Sequence, residues 1–178
     1  MTKAVYFHED ARFRRIDSHG IITAIAGTGT SNEDSEDGTL AVNAGLHGSD
    51  AGTRLWVDVR MLPETVYFTE SARGKVKKFV VGGPLTTVAG IGELRFNGDG
   101  IPAKTASLTY PMGIVGDGNG TLYIAEATCV RRIDANGTIT TVAGPNVGWK
   151  KLGSLQLDPS GRLVVFDEGT NRVFRLRP

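Results

Sequence analysis

LRFNGDGIPAKTASLTYPMGIVGDGNGTLYIAEATCVRRIDANGTITTVAG, residues 94–144, holds four short runs of alternating apolar residues: PMGIV, TLYIAE, CVRRID and TITTVAG. Gly/Asp/Asn clusters such as GDGNG and ANG punctuate them. The runs are too short for helices and rich in β-branched and aromatic residues, so they predict four strands in a meander. Asn136-Gly137 predicts a tight type I′ hairpin between the third and fourth strands, because both central residues of that turn need positive φ.

Working outward, the unit recurs. AVYFHEDARFRRIDSHGIITAIAG (4–27), TVYFTESARGKVKKFVVGGPLTTVAG (65–90) and TLYIAEATCVRRIDANGTITTVAG (121–144) align with one two-residue insertion, and RLVVFDEGTNRVFRLRP (162–178) aligns with their first two thirds. Val5 to Val66 is 61 residues, Val66 to Leu122 is 56 and Leu122 to Leu163 is 41. A constant unit with shrinking connections is the signature of a repeat architecture whose loops lie on one face. The reading is all-β: units at about 1–27, 53–90, 111–144 and 152–178, with inserts at 28–52 and 91–110.

The third unit's residues carry a family resemblance. Pro111, Gly113, Asp117, Gly120, Leu122, Tyr123, Glu126, Arg131, Arg132, Ile133, Asp134, Gly137 and Thr140 to Gly144 spell a pattern that resembles the NHL repeat of β-propellers. Asn171-Arg172-Val173 resembles the Asn-Arg-Val of the name-giving motif. The resemblance implies a partial β-propeller of about four blades, each a four-stranded antiparallel meander. It also implies a protein-binding or scaffolding module, with a lyase- or lactonase-type propeller enzyme using a metal site as the alternative and RNA binding as a lesser one.

Composition narrows these classes. A net charge of +1 gives no field that would draw nucleic acid, so that partner is not expected. The N-terminal MTKAVYFHED has no signal-like apolar core and no segment approaches a membrane span, which tilts the expectation toward an intracellular protein without naming a compartment. Cys129 is the only cysteine, so no disulfide or thiolate cluster forms within one chain, and a half-buried hydrophobe is its expected role.

Acids stand at matching positions in all four units (Glu9, Glu70, Glu126, Asp167), and basic residues fill every third strand (Arg14 and Arg15; Lys75, Lys77 and Lys78; Arg131 and Arg132; Arg175 and Arg177). Cross-strand acid–base pairs are one reading, a ligand-binding basic ring the other. The acidic run from Asn32 to Gly38 superficially resembles a calcium loop, but the glycine falls one residue late. Asp58, Asp117 and Asp158 fit turns better than a channel metal. His8, His19 and His47 are scattered. No catalytic residue, metal site or cofactor is expected.

Candidate binding contacts sit in loops and rims: Met61 and Leu62, Asn97 and Asp99, and Trp149, Lys150 and Lys151. Trp149 reads as an anchor over its blade or as an exposed contact. The sequence predicts three strands in the first unit, four in each middle one and three in the last, so apolar blade faces remain open at both ends. The expected partners are other protein chains that complete or cover these faces, or further copies of the chain.

Overall fold

The computed structural model describes residues 4–30, 35–46, 53–60 and 62–176. Four antiparallel sheets follow one another along the chain. The first holds β1 (Val5–Glu9), β2 (Arg12–Ile16) and β3 (Ile22–Ala26). The second runs in order through β4 (Leu55–Asp58), β5 (Thr65–Glu70), β6 (Lys75–Val80) and β7 (Leu85–Ala89). The third contains β8 (Ile101–Pro102), β9 (Gly113–Gly116), β10 (Leu122–Ala125), β11 (Val130–Ile133) and β12 (Thr138–Ala143), with β8 added outside β12. The fourth is β13 (Leu152–Leu157), β14 (Leu163–Asp167) and β15 (Arg172–Leu176). Helix among the described residues is limited to single 3-10 turns at Ala41–Asn43, Ser71–Arg73, Ala103–Thr105 and Pro145–Val147.

These sheets are blades of a partial β-propeller, stacked face to face, and strand periodicity decides what lies between them. Val66, Phe68 and Phe79 of blade 2 turn toward blade 1 and meet Phe13, Ile25 and half-buried Tyr6. Leu122, Ile124 and Ile133 of blade 3 turn toward blade 2 and meet Val76, Ala89 and half-buried Tyr67. Leu163 and Val165 of blade 4 meet Tyr123, Ala125 and Val130 of blade 3. Successive residues of a strand face opposite sides, so each VYF- or LYI-type triplet serves two interfaces at once.

The inner strands converge closely. A Cβ on Gly116 would stand 2.4 Å from the Trp56 ring, and one on Gly113 would stand 2.7 Å from the Leu155 side chain. Glycine at both positions lets β9 approach β4 and β13.

The turns share one chemistry. Asp17, Asp117, Asp134 and Asp158 each accept backbone N–H groups from two and four residues further on through one carboxylate oxygen. This is the Asx-turn role predicted for Asp117 and Asp158. The turn type at Asn136-Gly137 differs from the expectation. Gly137 has φ +84° while Asn136 is not in the positive-φ region, and the Gly137 N–H donates to the Asp134 carbonyl. The connection is one residue longer than a type I′ turn, because the Asp134 carboxylate makes a turn with Gly only at its last position the better satisfied choice.

The inserts differ more. Residues 35–46 and 97–108 form equivalent straps that the strand reading leaves as loops. Gly38 and Gly100 donate to the carbonyls of Leu85 and Ile139 on the outermost strands, and Ala41 and Ala103 donate to those of Gly83 and Gly137. Gly27 and Gly90 donate in turn to the carbonyls of Ala41 and Ala103. Each strap therefore leaves one blade and laces along the outer edge of the next. In blade 3 the lacing is regular enough to make β8, so that sheet has five strands where four are expected. Ala41, Ala44 and Leu46, like Ala103, Ala106 and Leu108, tuck into the interface beneath.

Tyr123 is 7% exposed and packs between blades 3 and 4. Tyr123→Ala is expected to lower stability by about 2–4 kcal/mol in urea unfolding. Tyr67→Ala, at the equivalent half-buried position, is expected to cost less.

Candidate functional site

In blades 1, 2 and 3 an acid at the end of one strand lies beside a base on the next. The registers place Phe7 across from Arg14, Phe68 from Lys77, Ile124 from Arg131 and Val165 from Phe174, so these four positions are structurally equivalent. Arg14 lies 3.0 Å from Glu9, Lys77 3.5 Å from Glu70 and Arg131 3.4 Å from Glu126. The cross-strand reading of these cations is thus the one the structure adopts. Their burial differs sharply. The Arg14 and Glu9 side chains are 31% and 53% exposed, whereas both members of the other two pairs are at most 2% exposed. The preceding blade and its strap account for the difference: the Lys77 ammonium donates to the Ser35 carbonyl, and the Arg131 guanidinium donates to the Gly98 carbonyl and to the Asp99 carboxylate.

In blade 4 the base is replaced by Phe174 and the acid by Asp167. The Asp167 carboxylate accepts the N–H groups of Lys150, Lys151 and Gly169 and the Thr170 hydroxyl. Burial alone would raise its pKa, but these four donors overcome it and hold the carboxyl at about 2. Trp149 packs edge-on against Phe174, with ring centroids 6.1 Å apart.

A cavity of about 460 Å³ opens on the loop face of blade 3. Phe96, just before the strap, and Asp99 within it form one wall; Glu126, Thr128 and Cys129 of the β10–β11 turn form another, and Pro145 closes the far side. The Phe96 ring lies over the Arg131 guanidinium at 5.0 Å. Burial pushes the Glu126 carboxyl up, against the opposing pull of the Thr109 N–H and Arg131. Burial, reinforced by Glu126, pushes the Cys129 thiol up to about 12, which favours its neutral form near neutral pH. Glu126 is held by the Thr109 N–H and by Arg131, and the exposed area of the lining is largely apolar. Among the described residues no group of three His, Cys, Asp or Glu side chains is placed to hold a metal ion.

The residues singled out in the sequence are spread over several places. Asn97 works inside the strap, donating to the Thr105 carbonyl and accepting the Ser107 N–H. Asp99 links Arg131 and Thr141 and lines the cavity. Trp149 is 4% exposed, so its indole is core packing and not contact surface. Lys150 and Lys151 pin Asp167 through their backbone, and the Lys151 ammonium pairs with Glu168 at 3.0 Å. Leu62 is 77% exposed in the β4–β5 connection, at the opposite end of its sheet from the β5–β6 turn, and Met61 lies outside the described residues. Cavity residues Phe96 and Thr128 escape the sequence reading. The one available signal is the strap repeat, Asp-Gly followed by Ala, Ala and Leu, at both 37–46 and 99–108.

Two measurements probe this network. Arg131→Ala strands two carboxylates and is expected to cost about 3–5 kcal/mol, with the double variant Arg131→Met/Glu126→Gln recovering part of the loss in urea unfolding. Asp167 is held below its ordinary 3.8, so the stability it contributes is complete above that value and is lost as pH falls toward 2. Asp167→Asn should flatten the pH dependence of the melting midpoint across that window.

Comparisons with known proteins agree with the fold. The family model described as the teneurin NHL domain matches residues 64–173. Human teneurin-1 is 38% identical over 111 residues, covering 59% of this chain, and mouse teneurin-3 is 43% identical over 114 residues, covering 61%. The alignments span only 4% of the length of either relative. Among solved structures, a Bacteroides thetaiotaomicron protein of unknown function superposes with a TM-score of 0.69 at 19% identity, over 97% of this chain and 43% of that one. A streptogramin B lyase superposes with a TM-score of 0.57 at 18% identity, over 98% and 51%. At such identities the structural likeness speaks for the fold alone. The repeat motif, the stacked antiparallel blades and the family match lead to one conclusion: the chain belongs to the teneurin NHL domain family.

Proposed function

We propose that this protein is a binding and scaffolding module whose outermost blade faces dock on further propeller-type blades. The observation that carries the reading is the pair of apolar faces at the two ends of the stack. Val164, Phe166 and Val173 of blade 4 occupy the positions of Tyr123, Ala125 and Val130, which blade 4 itself buries in blade 3. On blade 4 they line an open hollow of about 170 Å³, and Val173 is 66% exposed. At the other end, Val5 of blade 1 is 58% exposed, whereas its equivalents Val66 and Leu122 are at most 6% exposed. Ile22, on the same blade, is 52% exposed.

The two faces are complementary by construction. Each interior interface joins the kind of face blade 4 presents to the kind blade 1 presents, so each end is built to accept a blade of the same design. Burying an aliphatic or aromatic side chain of this size contributes roughly 1.5–3 kcal/mol, so several together favour association.

Sedimentation velocity on the 178-residue chain tests this. Association at micromolar concentration is expected, and Phe166→Glu with Val173→Glu should abolish it. A stable monodisperse monomer that unfolds cooperatively and does not respond to these substitutions would contradict the reading.

A further inference from the structure

We propose that the cavity on the loop face of blade 3 receives a basic side chain, arginine or lysine, of a partner polypeptide. The inference rests on the reading of this protein as a protein-binding module, but uses a different surface from the end faces of blades 1 and 4.

Size comes first. A cavity of about 460 Å³ is far larger than one water and can take a long side chain together with neighbouring backbone. Charge comes second. Glu126 and Asp99 are the charged lining residues, and the nearby guanidinium of Arg131 is committed to both of them and to the Gly98 carbonyl. Two carboxylates against one cation leave an acidic excess with no cation in the lining. The hydrogen bonds that Asp99 accepts, from Arg131 and Thr141, both use Oδ1, and its side chain is 41% exposed, so Oδ2 is available to a donor from outside. A basic side chain supplies that donor, and its methylene stem suits the apolar walls.

The extent of the apolar surface selects a polypeptide over a free amine. Exposed apolar side chains belong to the lining or flank it in sequence: lining residue Phe96 is 57% exposed, Tyr110, next to lining residue Thr109, is 48% exposed, and Val147, two residues beyond lining residue Pro145, is 44% exposed. Tyr110 is held at φ +51°, in the left-handed region that a tyrosine rarely adopts. An occupant confined to the cavity would leave this rim uncovered. A chain carrying apolar residues beside its basic one would cover it.

The test uses three blocked tripeptides, Ac-Val-Arg-Leu-amide and its citrulline and glutamate counterparts, titrated into the 178-residue chain by NMR. The arginine peptide is expected to bind and to shift the Thr128 and Cys129 resonances, with the citrulline peptide about tenfold weaker and the glutamate peptide weaker still. Asp99→Asn should shrink the gap between arginine and citrulline. Because Asp99 also anchors the strap, Thr128→Trp provides a second arm: Thr128 is exposed, and a tryptophan there fills the mouth and should remove binding. Equal binding of the arginine and citrulline peptides, no binding of any, or binding that survives Thr128→Trp each overturns the proposal. End-face association should be unchanged in Thr128→Trp, so failure of this site and failure of the docking reading are told apart.

Discussion

A blade of this design cannot bury its own apolar face, and one buried acid–base pair shows what covering that face requires. Glu126 and Arg131, in the middle of the stack, are withdrawn from water almost completely, while the same pair in blade 1, Glu9 and Arg14, stays substantially wet. Taking two charges out of water is unfavourable unless the remaining donors and acceptors find partners. The preceding connection supplies them, through Gly98 and Asp99 for Arg131 and Ser35 for Lys77. Burial of the pair therefore depends on contacts that the strap supplies, and each strap fastens its blade to the one before it.

Blade 4 reaches the same end with different chemistry. Its connection from blade 3 is too short to lay a strap along the outer edge, and no cation needs capping because Phe174 stands where Arg131 stands. The apolar contact of Trp149 with Phe174 takes the place of the Phe96 ring over Arg131, and Asp167 is satisfied by backbone N–H groups instead of a guanidinium. In blades 2 and 3 the strap and the buried acid–base pair occur together.

Most of the strand plan was legible in the sequence. Period-2 alternation in VYF, LYI and RRID and the aspartates before each turn are local signals, and local signals survive in a single sequence. The straps were not legible as structure. TLAVNAGL and IPAKTASL lack strand alternation, and their order comes from hydrogen bonds to edges more than 30 residues away in sequence. The type I′ turn expected at Asn136-Gly137 is not adopted for a related reason: the dipeptide alone does not carry the Asp134 carboxylate that shapes the loop. The cavity was half visible. Asp99 is legible as a loop acid, but its place beside Glu126 and Cys129 depends on how the strap docks.

The stack, the straps and the open end faces make one claim, that every blade face in this protein is built to be covered by another blade. Hydrogen–deuterium exchange followed by mass spectrometry as a function of protein concentration tests it most directly. The account predicts that β1, β2, β14 and β15 gain protection as concentration rises while β5, β6, β10 and β11 exchange slowly throughout. Fast exchange in the end blades that does not change with concentration, or protection that rises only in the interior blades, would contradict it.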